Sequence, residues 1–227
     1  MPTKAIALHS GGLDSTVAAH LAMREVEIAC ALTFDYGQRA RKRETIAAGL
    51  SCEAMGVEHR IVELPWLAEA TRTALVNEGE AIPSVSPDAL GEGDDERAAA
   101  VWVPNRNGVL IAAAAAIAEG MGVERIVAGF NAEEAEAFPD NSAPFVEATN
   151  EALEYSTRNS VKLMSPTLHM TKGEIAHQFV LLDLEPDSFW CCYEGGERLC
   201  GKCESCARTI RAFRQEGAWA AISDRFA

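Results

Sequence analysis

The chain has 227 residues, with 34 Asp and Glu against 20 Lys and Arg and a formal net charge of -14. Its make-up, 48% hydrophobic and 24% charged, is that of a globular protein with a real core and excludes a disordered chain. So acidic a surface disfavours a nucleic-acid partner or an anionic membrane, and the longest apolar run, 109–118, is too short to span a bilayer.

The first apolar segment predicts a strand over 4–9 that runs into His9-Ser10-Gly11-Gly12-Leu13-Asp14-Ser15-Thr16 and a helix over 14–24. A strand, a loop of small residues and a helix N-terminus make an anion site: glycines admit phosphate oxygens to the backbone, amides point at them, and the helix dipole favours negative charge. On this reading Leu8, His9, Ser10, Gly11, Gly12, Leu13, Asp14, Ser15, Thr16, Val17 and Ala18 frame the phosphates of ATP. Asp14 would repel a phosphate unless a cation lies between them, and magnesium is the natural mediator. The plainer alternative is that Ser10 caps the helix, with Asp14 and Ser15 favouring its first turn. The loop lacks the Lys that precedes Ser or Thr in a kinase phosphate loop, which points to cleavage at the α-phosphate.

A second strand, over 28–34, ends in Phe34-Asp35-Tyr36-Gly37-Gln38-Arg39, and a helix follows over 41–55. Arg39, Arg41, Lys42 and Arg43 form the only dense basic run, read as a solvated first helical turn. After a strand over 59–63, residues 64–101 are rich in Pro, Gly and acid without strong periodicity, the signature of a lid or a disordered insertion. Val103-Pro104-Asn105-Arg106-Asn107 then precedes an Ala-rich helix over 109–119. The planar fork of Arg106 suits a phosphate or carboxylate, or pairs at the surface with the acidic insertion; Asn105 and Asn107 serve the same centre or act as turn and cap residues.

Beyond a strand over 125–128 stands an acidic loop with Asn131, Glu133, Glu134, Glu136 and Asp140. Its carboxylates either accept from adjacent N–H donors of a base edge or form a solvated turn. A helix over 144–156, a strand over 161–164 and a helix over 172–182 follow, the last opened by Lys172, which reaches phosphate or merely decorates a helix start.

Past 182 the chain turns to Cys191, Cys192, Cys200, Cys203 and Cys206 and an amphipathic helix over 204–216. Crowded thiols in a reducing, cytoplasmic setting suggest metal binding before disulfides. Cys200, Cys203 and Cys206 surround a tight turn, and a fourth thiolate arrives from Cys191 or Cys192, which spacing alone does not separate. Four thiolates make a closed structural zinc site; an iron–sulfur cluster and redox pairs are the alternatives. Cys30 and Cys52 lie in apolar patterns as buried bystanders. The alternation of elements specifies an α/β fold, an open parallel five-stranded sheet with helices on both faces over 1–185, with a small zinc-binding helical appendage over 186–227.

The S-G-G-L-D-S loop, the Phe34 to Arg39 string, the Val103 to Asn107 string and Trp190-Cys191-Cys192-Tyr193 ahead of the C-x-x-C steps together resemble the 7-cyano-7-deazaguanine synthase family (QueC/ExsB) of the N-type ATP pyrophosphatase superfamily, over nearly the whole chain. The resemblance implies an adenine nucleotide alpha hydrolase-like, Rossmann-like fold and a ligase that adenylates 7-carboxy-7-deazaguanine. Ammonia then displaces AMP, and a further activation of the amide oxygen permits dehydration to the nitrile, towards queuosine or archaeosine. It assigns Ser10, Gly11, Gly12, Asp14 and Ser15 to pyrophosphate and magnesium, and Tyr36, Gln38 and Arg39 to the nucleotide's surroundings. Asn105, Arg106, Asn107 and Lys172 fall at the reaction centre and Asn131, Glu134 and Asp140 at the second substrate; Cys192 becomes the fourth zinc ligand beside Cys200, Cys203 and Cys206. A homodimer is implied as well.

One stretch departs from the pattern. Where the family continues with an Asp and then Ser-Gly-Tyr-Pro-Asp-Cys-Arg, this chain has Glu134 and then Glu136-Ala137-Phe138-Pro139-Asp140-Asn141-Ser142, and Ala40 replaces a His. These changes leave ATP and zinc untouched and bear on the second substrate. Two other readings follow: a related ligase delivering a deazaguanine carboxylate to another amine, and a zinc-organised protein that binds nucleotide and acts by interaction.

Overall fold

Alternation of side chains makes the first strand two-sided, and the rest of the fold is layered on that property. A computed structural model describes residues 3–91 and 93–227; residues 1, 2 and 92, the last within the expected insertion, lie outside the described residues. In chain order the elements are β1 (Lys4–Leu8), α1 (Leu13–Ala22), β2 (Glu27–Asp35), α2 (Arg41–Met55), β3 (His59–Glu63), α3 (Trp66–Glu69), α4 (Asp94–Val101), α5 (Arg106–Met121), β4 (Arg125–Val127), α6 (Glu134–Ala137), α7 (Ala143–Ser156), β5 (Lys162–Met164), α8 (Lys172–Leu181) and α9 (Glu204–Gln215).

The five strands form a parallel sheet in the order β3-β2-β1-β4-β5. Ile6 of β1 joins Leu32, Phe34, Ile111, Ala114 and Val146 in a core under α5 and α7. Ala5 and Ala7 face the other way, packing with Ala18, Ala19 and Cys52 of α1 and α2, where small side chains let helices approach the sheet closely. Helices therefore cover both faces, as the pattern of short apolar segments predicts. The chain runs outward from β1 to β3 and returns beside β1 as β4, so the strand order reverses between β1 and β4, the place at which doubly wound sheets open a crevice at their carboxyl ends.

A further core joins Leu13 and Val17 of α1, Ile175 and Phe179 of α8, and Phe189, Leu199, Phe213 and Phe226. The cysteine-bearing segment is thus packed directly against the phosphate-loop helix. Residues 64–101 carry α3 and α4, which the sequence pattern does not announce, and they are anchored at several points. The Val85 amide donates to the Lys202 carbonyl at 2.8 Å, Ser84 and Cys203 form an antiparallel bridge, and the Arg39 amide donates to the Leu75 carbonyl at 3.0 Å. No single described helix is long and apolar enough to cross a membrane.

Candidate active site and metal centre

At the carboxyl ends of β1, β2 and β4 lies a cavity of about 230 Å³. Its floor is the phosphate loop. Gly11 sits at φ +77, and a β-carbon there would both strain the backbone and strike the Glu44 carbonyl. A β-carbon on Gly129, after β4, would strike the Ser15 amide. The loop is braced from within: Ser10 and Ser15 share a hydrogen bond at 3.0 Å, and the Ser10 hydroxyl accepts the Gly12 amide at 3.2 Å. The N-cap of α1 is Gly12, and no side chain caps the helix. Ser10 therefore does not perform the capping that was the plainer alternative, and the uncapped first turn, Leu13 to Ser15, borders the cavity.

Lys172 enters from the start of α8. Its Nζ lies 2.5 Å from Asp14 Oδ2 and 3.0 Å from Glu134 Oε1, with only 4% of its side chain exposed. Two carboxylates around one ammonium hold its proton well above the ordinary lysine range despite burial, which acts the other way. Burial raises Asp14 to about 6 against the opposing pull of Lys172, whereas the same lysine keeps Glu134 ionised below its ordinary value against the cost of burial. Asp14 Oδ1 is buried and has no hydrogen-bond partner. A free carboxylate oxygen beside uncapped amides suits magnesium, which prefers oxygen ligands and one or two carboxylates.

Leu8, His9, Ser10, Gly12, Leu13, Asp14 and Ser15 line the cavity, as do Tyr36, Gln38, Arg106, Asn107, Glu134 and Lys172. The His9 ring is buried and its nitrogens have no hydrogen-bond partner, and burial lowers it to about 3, so the ring is neutral. Gln38 accepts the Tyr36 amide at 2.9 Å and donates to Glu44 Oε2 at 2.9 Å. Arg106 makes long contacts only, to Tyr36 Oη at 3.5 Å and Asn107 Oδ1 at 3.4 Å. Among the described residues it forms no ion pair, with the acidic insertion or elsewhere.

Other expected residues lie outside the cavity. Val17 and Ala18 are core residues of α1, and Thr16 Oγ1 donates to the Ser188 carbonyl at 3.3 Å. Arg39 donates to the carbonyls of Asn77 and Glu80 and pairs with Glu194 at 3.5 Å. Arg43 donates to the Gly196 carbonyl at 2.8 Å and stacks over Trp190. Arg39 and Arg43 are therefore loop clamps, while Lys42 of the same run is exposed as a solvated turn would have it. Asn105 is the N-cap of α5 at φ 52, and its side chain does not cap. The buried side chain of Asn131 accepts the Glu134 amide at 2.8 Å, which starts α6. Asp140 lines an adjoining, smaller cavity.

Sequence reasoning did not single out Glu44 or the partners of Glu133. Glu44 borders the cavity and is raised by burial to about 7; only its place three residues into the helix after Arg41 hints at it. Glu133 accepts the Lys172 amide at 3.0 Å and the Arg211 guanidinium at 2.9 Å, joining α8 to α9. The acidic loop is thus engaged internally at Glu133 and Glu134, while Glu136 is exposed.

The metal centre resolves what spacing left open. The Sγ atoms of Cys192, Cys200, Cys203 and Cys206 all lie within 4.8 Å of one another, and Cys191 is outside that group. Backbone amides of Glu194 and Cys200 donate to Cys192 Sγ at 3.4 Å, and that of Cys203 to Cys200 Sγ at 3.3 Å. Four sulfurs in tetrahedral reach, three of them buried and two of them accepting backbone amides, fit a structural zinc ion with no open coordination position. Cys30 and Cys52 are buried and remote from it.

The family described as "Queuosine biosynthesis protein QueC" matches residues 4–217. A 7-cyano-7-deazaguanine synthase from Methanosarcina mazei is 47% identical over 219 residues, covering 94% of this chain and 95% of that protein. A 7-cyano-7-deazaguanine synthase from Pelotomaculum thermopropionicum is 46% identical over 216 residues, covering 94% and 98%. Among solved structures, the U34-tRNA thiolase NcsA from Methanococcus maripaludis with its [4Fe-4S] cluster aligns at TM-score 0.49 and 18% identity, over 96% of this chain and 67% of that one.

Proposed function

The chain belongs to the QueC queuosine biosynthesis family, and from that membership we propose that it converts 7-carboxy-7-deazaguanine and ammonia into 7-cyano-7-deazaguanine at the expense of ATP. In this reading it is a carbon–nitrogen ligase. The carboxylate attacks the α-phosphorus of ATP and pyrophosphate leaves. Ammonia adds to the acyl carbon, AMP departs, and a proton is released; a second adenylation, of the amide oxygen, then lets AMP and a proton leave with formation of the nitrile.

The observation that carries this reading is one cavity in which the uncapped amides of α1 face Arg106, with Lys172 bridging Asp14 and Glu134 between them. The residues do little covalent chemistry. First-turn amides and Lys172 take up charge on the leaving pyrophosphate, and Arg106 holds the attacking carboxylate or the α-phosphate. Magnesium bound at Asp14 would neutralise phosphate charge, and zinc on Cys192, Cys200, Cys203 and Cys206 would hold the C-terminal segment in place without entering the reaction.

We read 1–185 as the ATP-binding unit, 64–101 as its covering segment and 186–227 as the metal-binding segment; the backbone ties from Leu75 and Val85 support a lid over a disordered insertion. A cytoplasmic homodimer acting on small molecules completes the reading. Incubation with ATP, magnesium, ammonium and 7-carboxy-7-deazaguanine, followed by mass spectrometry, tests it: the nitrile with AMP and pyrophosphate is the expected result. Untouched deazaguanine would overturn the substrate assignment, and a conjugate formed only with an added amine would favour the delivering ligase.

A further inference from the structure

Ammonium, the form of the amine that prevails at neutral pH, has no lone pair with which to attack an acyl carbon, so a group at the cavity has to take its proton. Among the described residues, the carboxylates that line the phosphate cavity are Asp14, Glu44 and Glu134. Asp14 and Glu134 are both committed to Lys172, at 2.5 and 3.0 Å. The neutral ring of His9, lowered to about 3, is too weak a base, and burial holds the hydroxyls of Tyr36 and Tyr193 protonated above the ordinary tyrosine range. Glu44 is the carboxylate that remains.

Its setting is built rather than incidental. Glu44 stands in the first turn of α2, where its amide donates to the Ala40 carbonyl at 2.9 Å, and its own carbonyl backs the phosphate loop at Gly11. Gln38 Nε2 donates to Glu44 Oε2 at 2.9 Å, the one side-chain hydrogen bond that Glu44 makes among the described residues. Gln38 is itself fixed at both ends, since it donates to the Phe34 carbonyl at 2.9 Å and accepts the Tyr36 amide at 2.9 Å. A side chain pinned to the end of β2 thus holds one carboxylate oxygen and leaves the other for the cavity. The charged and titratable groups that face Glu44 are Arg106 of α5 and Asp35 and Tyr36 at the end of β2. Burial raises Glu44 to about 7, with the Gln38 hydrogen bond and Arg106 pulling the other way, so it exchanges its proton in the range where a general base is most effective.

We propose that Glu44 is the proton acceptor of the amine step: ammonium in the phosphate cavity gives one N–H proton to the Glu44 carboxylate, and the nitrogen lone pair so freed attacks the acyl adenylate. The C–N bond forms as the C–O bond to AMP breaks, and AMP leaves with that electron pair. The second N–H proton, lost as the nitrogen becomes a neutral amide, goes to the same carboxylate once the first has passed to solvent. Arg106 favours both transfers, because its positive charge at the same cavity disfavours a second cation there. The proposal rests on the function read above and adds a catalytic residue to it.

Two half-reactions of the full chain separate this role from a structural one. Exchange of labelled pyrophosphate into ATP, with 7-carboxy-7-deazaguanine and no ammonium, reads adenylation; formation of amide and nitrile on adding ammonium reads the amine step. Glu44→Gln, which keeps the shape, is expected to slow the amine step about 100-fold at about pH 7.5 while exchange falls by less than about threefold. At about pH 9.5, where free ammonia is plentiful, the deficit in the amine step is expected to shrink to below about tenfold. Glu44→Asp, which retains a carboxylate one methylene short, is expected to run the amine step faster than Glu44→Gln at about pH 7.5. An undiminished amine step in Glu44→Gln, an equal loss of exchange, or a deficit that persists at high pH would each overturn the proposal and leave the function intact. Absence of exchange in the wild-type protein would overturn the function and the proposal together.

Discussion

Lys172 meets Asp14 at 2.5 Å although 158 positions separate them in the chain. The phosphate loop lacks a lysine of its own, and the fold supplies one from the start of α8. Because Glu134 takes a second side of the same ammonium at 3.0 Å, the three residues form one unit in which removing either carboxylate leaves the lysine paired, but removing the lysine leaves two acids facing each other.

That asymmetry separates two substitutions. Asp14→Ala is expected to abolish pyrophosphate release while the protein stays folded, because Glu134 still holds Lys172. Lys172→Met is expected to abolish release and also to cost about 3 kcal/mol in urea unfolding. Adding Asp14→Asn to Lys172→Met should recover much of the stability and none of the activity. Substantial turnover in Asp14→Ala would refute its assigned part.

The metal centre predicts a contrast between neighbours. Cys203→Ser is expected to lose zinc and lower the melting temperature together, since it removes one of the four clustered thiols that would hold the ion. Cys191→Ser should keep zinc at full stoichiometry, read by elemental mass spectrometry. Equal loss in both would undo the choice of Cys192.

Burial of Glu44 predicts a pH dependence. Its folded carboxyl, raised to about 7, keeps a proton that the unfolded chain releases at lower pH, so the native state is favoured at acid pH and that contribution is lost as pH rises towards 7. Glu44→Gln is expected to flatten the fall in melting temperature between about pH 5 and about pH 7 relative to the wild-type chain. An unchanged slope would show that Glu44 is ionised in the folded protein.

Glu133 offers a test of how the metal-bearing helix supports the active site. Glu133→Gln weakens its ties to Arg211 and to the Lys172 amide, so pyrophosphate release is expected to fall by about tenfold with zinc retained. Unaltered kinetics would make the link between α8 and α9 purely structural.

The regular parts of the fold are legible because their periodicity is local. The sequence pattern predicts α2 and β3 with the observed bounds and the remaining strands to within a residue or two. It does not announce α3, α4 and α6, which are too short or too polar for a periodic signal; α6 exists because the Asn131 side chain accepts its first amide. Residues of the phosphate loop are legible as a string, since their chemistry requires contiguity. Arg39 is a different case: the family resemblance puts it near the nucleotide, and tertiary contact gives its guanidinium to the carbonyls of Asn77 and Glu80. The choice of Cys192 over Cys191, the arrival of Lys172 and the pairing of Ser84 with Cys203 depend on how distant segments meet, which no local pattern encodes.

The Trp190 amide donates to the Gly11 carbonyl at 2.6 Å, and Trp190, Cys191, Tyr193 and Ser205 all wall the phosphate cavity. The enclosure around the earliest loop is therefore completed by some of the residues synthesised last. A nascent chain that has finished its sheet still exposes an open phosphate loop, and closing it requires a contact of very large sequence separation, the slowest kind to form. The cavity around the phosphate loop is thus walled only once the cysteine-bearing segment is seated against it.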